Sequence, residues 1–215
     1  MATERTRIPL AQRLAWPLPA HAPVATDAGN ADFLARVGAW RDAHAVHAGD
    51  ELALYHEDGL EFAAALYGAW LAGKTPWLPG DRLAATLAGL DRHVAARAGE
   101  LPGGYVAGSD APLPADATLD PLACQVVLFT SGSTGEPGAI RKTLRQLDNE
   151  VAALEAQFGP SLGDAVVQGT VSHQHIYGLL FRLLWPLSAG RPFARRRVGF
   201  NEQLAALGDA PLVLV

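Results

Sequence analysis

The sequence predicts a layered α/β fold with a largely parallel sheet flanked by helices. Two observations favour this fold class. Short apolar runs of strand length alternate with amphipathic helical segments along the chain. One apolar run, Val126 to Phe129, turns abruptly into glycines and small hydroxyl residues, which is typical of a buried parallel strand that ends in a ligand-binding loop.

Helix-capping and helix-breaking residues divide the N-terminal half of the chain into predicted helices and strands. Residues 1–30 are rich in Pro and Ala and lack a sustained period, so they are interpreted as an extended arm before one α/β domain at 31–215. Asn30 or Asp32 caps a first helix, and Asp58 caps a second helix that ends at Gly73. Strands are predicted on either side of this second helix, at 51–55 and 75–78.

Further helices follow from stripes of leucine. Residues 81–98 are predicted to be one helix with an apolar stripe, and 103–114 a loop around a possible strand at 105–106. After the loop, Thr143 and Gln146 have capping-box spacing before a helix that ends at 159–160. Strands at 164–171 and 211–215 and a helix at 200–207 complete the prediction.

The loop after Val126–Phe129 has the composition of a phosphate-binding site. Glycine lets the backbone approach a ligand closely, and hydroxyls with backbone N–H groups suit phosphate oxygens. It is not a P-loop, which needs Gly-Lys-Ser/Thr at its end, and an ordinary polar connector is the structural alternative. The candidate phosphate-binding residues are Thr130, Ser131, Gly132, Ser133, Thr134 and Gly135.

The loop also carries a family resemblance. Thr130-Ser-Gly-Ser-Thr-Gly-Glu-Pro137 resembles the signature loop of the adenylate-forming (AMP-binding) ligases, which include acyl-CoA synthetases. The resemblance implies that this loop grips the β- and γ-phosphates of ATP while a carboxylate attacks the α-phosphorus. The family usually has Lys after the Pro, where this chain has Gly138. Arg141 or Lys142 is a candidate to replace that charge, and strand alternation does not decide between them.

A second segment resembles the same family. His175-Ile-Tyr-Gly-Leu179 is similar to the histidine-aromatic-glycine segment that borders the family's acyl pocket, so His175, Tyr177 and Gly178 are acyl-pocket candidates. The residues themselves leave two alternatives open: His173 and His175 as metal ligands, although no third ligand is evident, or a structural histidine pair at a helix start. The sequence of residues 171–187 also resembles that of ligases of aryl-polyene pathways, which load aromatic acids.

The resemblance covers roughly residues 50–215. The family's Mg²⁺-holding Glu, ribose-binding Asp and catalytic Lys lie further along its chains. The resemblance therefore implies that this chain is an N-terminal fragment of an ATP- and Mg²⁺-dependent ligase. Such a ligase activates an acid for transfer to coenzyme A or a carrier-protein thiol. We expect the 215 residues alone to be inactive, and no catalytic residue is assigned. The alternatives are a non-catalytic nucleotide-binding or interaction module and, less favoured, a phosphotransferase.

Composition narrows the class of protein further. The chain has 215 residues, of which 49% are hydrophobic, and its net charge of -5 does not favour binding to nucleic acid or anionic membranes. The single cysteine, Cys124, excludes an intramolecular disulfide and is expected to be buried and inert. The sequence has no signal-peptide core and no apolar run of membrane-spanning length. A cytoplasmic protein is expected. The resemblance also implies an apolar face exposed where the family's later parts would dock, and such a face favours self-association.

Overall fold

The structure is a computed structural model that describes residues 6–130, 138–205 and 211–215. A five-stranded sheet lies at its centre, and helices cover both faces. In chain order the elements are β1 (Pro23–Ala25), β2 (Ala28–Gly29), α1 (Asn30–Ala45), β3 (Glu51–Tyr55), α2 (Gly59–Leu71), β4 (Thr75–Leu78), α3 (Ala84–Leu90), β5 (Ala96–Gly99), β6 (Gln125–Thr130), β7 (Gly138–Thr143), α4 (Leu144–Leu162), β8 (Val166–Gln168), α5 (Ile176–Gly178), a π-helical turn (Leu179–Leu184), α6 (Trp185–Ala189), α7 (Asn201–Ala205) and β9 (Leu212–Leu214).

The central sheet has the strand order β5-β3-β4-β6-β7. Its first four strands are mutually parallel, and β7 returns antiparallel to β6. The predicted largely parallel sheet is therefore confirmed. A smaller parallel pair, β8 with β9, lies beside it, and Phe193 forms single bridges to β8 and to the β1–β2 hairpin.

Two apolar layers enclose the sheet. The larger contains buried side chains from α1, α2, α4 and the helical segment at 179–189, with Phe33, Phe62 and Trp40 almost inaccessible to solvent. The smaller lies on the opposite face, where Trp77 and Val127 pack against Leu87 and Leu90 of α3. Burial on both faces explains why the central strands appear in the sequence as nearly continuous apolar runs.

The predicted caps at two helix starts are confirmed, whereas α1 begins after Gly29, so Asn30 and Asp32 lie inside its first turn and are not its N-cap. Asp58 accepts hydrogen bonds from the backbone N–H groups of Leu60 and Glu61, at 2.9 and 3.1 Å. Thr143 and Gln146 form the reciprocal capping box that begins α4. These caps satisfy amide groups that the first turn of a helix leaves without partners.

The prediction of one helix over 81–98 is wrong. Helix α3 covers only Ala84–Leu90, Leu83 is exposed, and the chain turns before Ala96–Gly99 enters the sheet as β5. Pairing with β3 satisfies the backbone of this short segment, so a tertiary contact overrides the helical pattern. Gly99 ends the strand at φ +80°, a conformation that favours glycine.

Several boundaries also differ from the sequence prediction. Helix α4 continues through Gly159 and Pro160 to Leu162. The strand predicted at 164–171 is limited to β8, because the chain leaves the ladder after Gln168. The possible strand at 105–106 is a single bridge between Ala98 and Tyr105. Of the helix predicted at 200–207, the structure describes α7, and β9 forms within the predicted strand at 211–215.

The N-terminal segment packs onto the rest of the chain, although its sequence predicted an extended arm. Ile8, Leu10 and Leu14 are buried. Arg7 forms a two-point ion pair with Asp148 of α4, with nitrogen–oxygen distances of 2.7 and 3.2 Å. Where the chain divides into arm and domain stays a prediction. No helix within the described ranges combines the length and hydropathy needed to cross a bilayer.

Candidate functional site

The carboxyl ends of the parallel strands β3, β4, β5 and β6 meet at one edge of the sheet, which we call the carboxyl edge. In open α/β sheets ligands bind at this edge. It is rich in polar residues, because His56 and Glu57 follow β3, Arg82 lies shortly after β4, and Glu100 follows β5. Strand β6 ends there at Thr130, which begins the predicted phosphate loop.

A charged network joins the ends of β3 and β5. Glu100 accepts a hydrogen bond from the backbone N–H of Glu57 at 3.1 Å, and its carboxylate lies 3.5 Å from Nδ1 of His56. Arg82 lies 3.7 Å from Glu100 and stacks over the ring of Tyr55. Burial and the hydrogen bond to Glu57 raise the pKa of Tyr55 to about 12. The charged side chains at the ends of β3 and β5 are therefore paired with one another.

The loop after β8 brings His175 to the carboxyl edge. The His175 ring lies so close to Gly80 that a Cβ added at Gly80 would be 2.6 Å from Cε1 of the imidazole. Gly80 comes two residues after β4, and β4 is the sheet neighbour of β6. The exposed His175 side chain thus lies over the end of β4, beside the strand that leads into the predicted phosphate loop.

The other two acyl-pocket candidates have different environments. Tyr177 is about half exposed and stacks on Phe181 one turn later, with ring centroids 4.5 Å apart. Gly178 is buried against the backbone of the preceding loop. The structure therefore brings His175 and Tyr177 to the surface at the start of α5, whereas Gly178 permits a close backbone contact.

We expect Gly178→Ala to destabilise the chain, because the added Cβ would lie 2.2 Å from the carbonyl oxygen of Ser172. Overpacking against backbone typically costs ~1–3 kcal/mol. Gly89→Ala is the matched control in α3, where the new methyl group meets nothing within 4 Å, and it should stabilise the helix by ~0.5–1 kcal/mol. Urea denaturation measures both changes. Equal effects of the two substitutions would contradict the packing role of Gly178.

Of the predicted phosphate residues, Ser131, Gly132, Ser133, Thr134 and Gly135 lie outside the described residues. The structure places only the backbone of Thr130, at the end of β6. Their role in binding phosphate stays a prediction.

The two cations considered as substitutes for the family lysine both have carboxylate partners. Arg141 pairs with Glu51 at 2.9 Å and hydrogen-bonds Gln125, on the sheet face that carries Val127. Lys142 points to the opposite face and pairs with Glu150 of α4. Both cations lie on β7 beside the amino-terminal half of β6, so neither is held toward the carboxyl end of β6.

A histidine metal pair is not what the loop after β8 forms. Since β8 ends at Gln168, His173 and His175 do not share a strand face. Both ring nitrogens of His173 have partners, the carbonyl of His56 at 2.7 Å and the guanidinium of Arg182 at 3.0 Å. Within the described ranges there is no group of three or more His, Cys, Asp or Glu side chains placed to hold a metal ion.

Sequence reasoning missed the residues that hold His175 in place. Arg182, Gln174, His56 and Gly80 were not singled out. One signal was available, because Arg182 is a charged residue inside the apolar run Leu179-Leu-Phe-Arg-Leu-Leu184, and such a residue needs hydrogen-bond partners when its helix is buried. The contacts of Gly80 and His56 had no local signal.

The described residues form a layered α/β domain with a polar carboxyl edge, and similar solved structures share this fold. A malonyl-CoA ligase in a ternary product complex with methylmalonyl-CoA and AMP matches with a TM-score of 0.71 and 22% identity, over 96% of this chain and 48% of the ligase. The O-succinylbenzoate coenzyme A synthetase (MenE) of Bacillus subtilis in complex with AMP matches with a TM-score of 0.73 and 17% identity, over 98% of this chain and 61% of the synthetase.

The same synthetase in complex with ATP and magnesium ion gives a TM-score of 0.71 at 18% identity, over 98% of this chain and 63% of that chain. No family model matches the sequence, and no curated protein matches it. The fold is therefore that of the N-terminal domain of adenylate-forming ligases, as the loop resemblance predicted. The chain spans about half to three fifths of the length of these structures.

Proposed function

We propose that the chain is part of an ATP-dependent carboxylate ligase that activates an acid as an acyl-adenylate and passes the acyl group to the thiol of coenzyme A or a carrier protein. The observation that carries the proposal is the position of His175 over the end of β4, beside the strand that leads into the glycine-hydroxyl loop. The similarity in fold to two CoA ligases supports it.

In this proposal the loop and the start of α5 form neighbouring parts of one site. Thr130 to Gly135 bind the β- and γ-phosphates, where fixed donors stabilise charge at phosphorus. His175 and Tyr177 border the acyl group. The exposed ring of Tyr177, stacked on the partly buried Phe181, offers an aromatic face, which supports an aromatic acid as substrate.

ATP is the nucleotide substrate in this proposal, and Mg²⁺ would neutralise part of its triphosphate charge. The described residues do not include a cluster of carboxylates that fits Mg²⁺. We therefore assign no residue of this chain to the metal and derive no step through it. The contribution of the chain is to bind the triphosphate and to orient the carboxylate of the acid toward the α-phosphorus.

A non-catalytic nucleotide-binding module is the second candidate. It is favoured by Gly138, which stands where the family has a lysine, together with the ion pairs that engage Arg141 and Lys142. A chain of this kind would bind ATP and leave it unchanged. The two candidates therefore differ in acid-dependent exchange of pyrophosphate into ATP.

Thr134→Val tests the ligase proposal, because valine keeps the shape of threonine and removes the hydroxyl. We expect ATP–pyrophosphate exchange by the full-length protein that contains this chain to fall about tenfold or more, the scale of one lost hydrogen bond to a charged group. The control is Thr118→Val on an exposed loop, which should leave exchange unchanged.

Exchange that is equal in the Thr134 variant and the parent would remove the loop from the proposed site. Tight ATP binding by the parent, without exchange for any aromatic or aliphatic acid, would support the non-catalytic module. The assay is run with ATP, Mg²⁺ and a panel of both classes of acid, and the 215-residue chain is measured beside the parent.

A further inference from the structure

Arg182 is a buried cation whose hydrogen bonds run to neutral groups. It lies in the π-helical turn and is only 1% exposed. Its guanidinium donates to the carbonyl of Arg195 at 2.9 Å, to Nδ1 of His173 at 3.0 Å and, more weakly, to the carbonyl of Val171 at 3.4 Å. Within the described ranges it forms no ion pair with a carboxylate. A buried charge of this kind is costly unless its hydrogen bonds offset the lost hydration, so the groups that accept from Arg182 are the ones to consider.

The contact with Arg182 fixes the tautomer of His173. A guanidinium only donates hydrogen bonds, so Nδ1 of His173 is the acceptor and carries no proton. Nε2 then carries the proton and donates to the carbonyl of His56 at 2.7 Å. Burial, and the guanidinium beside it, lower the pKa of His173 to about 3, so the ring is neutral at physiological pH. The titratable neighbours that face it are His56, Asp58 and Arg182.

This chain of hydrogen bonds ties three parts of the fold together. The carbonyl of His56, directly after β3, accepts from both His173 and Gln174, the latter at 3.1 Å. The ring of His173 also packs on Phe62 of α2, with centroids 4.5 Å apart. The loop that presents His175 is thereby fixed to the carboxyl end of a central strand on one side and to the π-helical turn on the other.

Two glycines allow this arrangement. A Cβ at Gly169 would lie 2.3 Å from Cδ of Arg182, so the glycine gives the side chain its path into the interior. Gly178 lets the start of α5 approach the carbonyl of Ser172, as described above. The loop at 172–175 is thus held at both ends and in its middle, and His175 is its last residue.

We propose that Arg182 is a positioning residue that acts through His173: it selects the Nε2–H tautomer, which locks the loop at 172–175 onto the His56 carbonyl and sets the place of His175 over Gly80. The proposal rests on the proposed function for its effect on activity. The tautomer and the loop position are properties of this chain alone, so they are measured independently of activity.

The experiment compares two buried arginines. Arg182→Met removes the donor to His173. Arg191→Met is the matched control, because Arg191 is also buried but pairs with Glu155, away from His173. Chains labelled with ¹⁵N-histidine are studied by NMR between pH 8 and pH 5, and the His173 signals are assigned by their loss in His173→Gln. Gly169→Ala, which displaces the Arg182 side chain, replaces Arg182→Met if that variant does not fold.

We expect parent and Arg191→Met to show one His173 tautomer, protonated at Nε2, throughout this pH range. In Arg182→Met or Gly169→Ala, Nδ1 of His173 loses its donor, so the ring should leave the His56 carbonyl and exchange between tautomers, and the His175 signals should shift. An unchanged single tautomer in these variants would overturn the proposal. In the full-length protein, kcat for adenylate formation should fall about tenfold or more in Arg182→Met, since an error of about 1 Å in position can cost ~100-fold.

The two kinds of failure are distinguishable. If Arg182→Met and Arg191→Met lower kcat equally at a temperature where both are folded, Arg182 supports only the fold and the positioning proposal is wrong. If the full-length parent forms no adenylate with any acid, the proposed function fails, and the NMR result alone then decides whether Arg182 sets the tautomer and the loop position.

Discussion

Lowering the pH from 6.5 to 4 is expected to remove ~3 kcal/mol of unfolding free energy for each of two buried histidines. His44 is fully buried, donates from Nε2 to the carbonyl of Ala65 and accepts at Nδ1 from the Tyr105 hydroxyl. Burial lowers the pKa of His44 to about 4, and that of His173 falls to about 3.

Stability decreases as the pH falls, because folding lowers the pKa of both histidines. Each histidine has a folded-state pKa below its unfolded value of about 6.5, so the unfolded chain binds protons that the folded chain excludes. The contribution to stability is complete above pH 6.5 and is lost as the pH falls toward 4 for His44 and 3 for His173. Each histidine contributes a slope of ~1.4 kcal/mol per pH unit in that window.

Urea denaturation at pH 7, 6, 5 and 4.5 measures this slope. Replacing His44 with Gln should remove ~1.4 kcal/mol per pH unit from it, because the titration of His44 is lost while those of His173 and His56, whose pKa burial also lowers, remain. His21→Gln, at an exposed position, is the control and should leave the slope unchanged. A stability that stays constant down to pH 4.5 would contradict the neutral, buried state of both rings.

Glu155→Gln is expected to destabilise the chain by ~3 kcal/mol or more, because it leaves a buried arginine without its counter-charge. Glu155 of α4 accepts from Arg191 at 2.5 and 3.1 Å and from the indole N–H of Trp185 at 2.6 Å. The side chain of Arg191 is only 3% exposed, so water does not replace the lost partner.

Glu150→Gln on the same helix is the matched control. Its partner Lys142 and its own carboxylate are both partly exposed, at 25% and 38%, and exposed pairs contribute ~0–1 kcal/mol. The free energies of unfolding of the two variants are compared at pH 7. Similar losses of unfolding free energy in the two variants would mean that burial of the Arg191–Glu155 pair does not determine how much it contributes to stability.

Local signals in the sequence predicted the parts of the fold whose hydrogen bonds are local. Asp58 and the pair of Thr143 and Gln146 cap their helices as expected, since a cap contacts residues two or three positions away. The apolar run that became β6 was equally clear, because both of its faces are buried.

Elements that depend on distant partners were harder to predict. Strand β5 has the sequence Ala-Arg-Ala-Gly, which has no strong preference for strand or helix. It forms because its backbone pairs with that of β3. Within the candidate site, the resemblance predicts His175 and Tyr177, and their role stays a prediction. The contact that fixes the loop joins His173 to a carbonyl 117 residues away, and no local pattern encodes that separation.

The N-terminal segment has a consequence for the order in which the chain folds during synthesis. Arg7 and the backbone N–H of Leu10 bind Asp148, while Ile8 exchanges hydrogen bonds with Ser188, at separations of 138 to 180 residues. At ~5–20 residues per second, translation takes on the order of ten seconds to cover that distance. Residues 7–10 therefore leave the ribosome well before Asp148 and Ser188, and they can form these native contacts only after both partners have been synthesised.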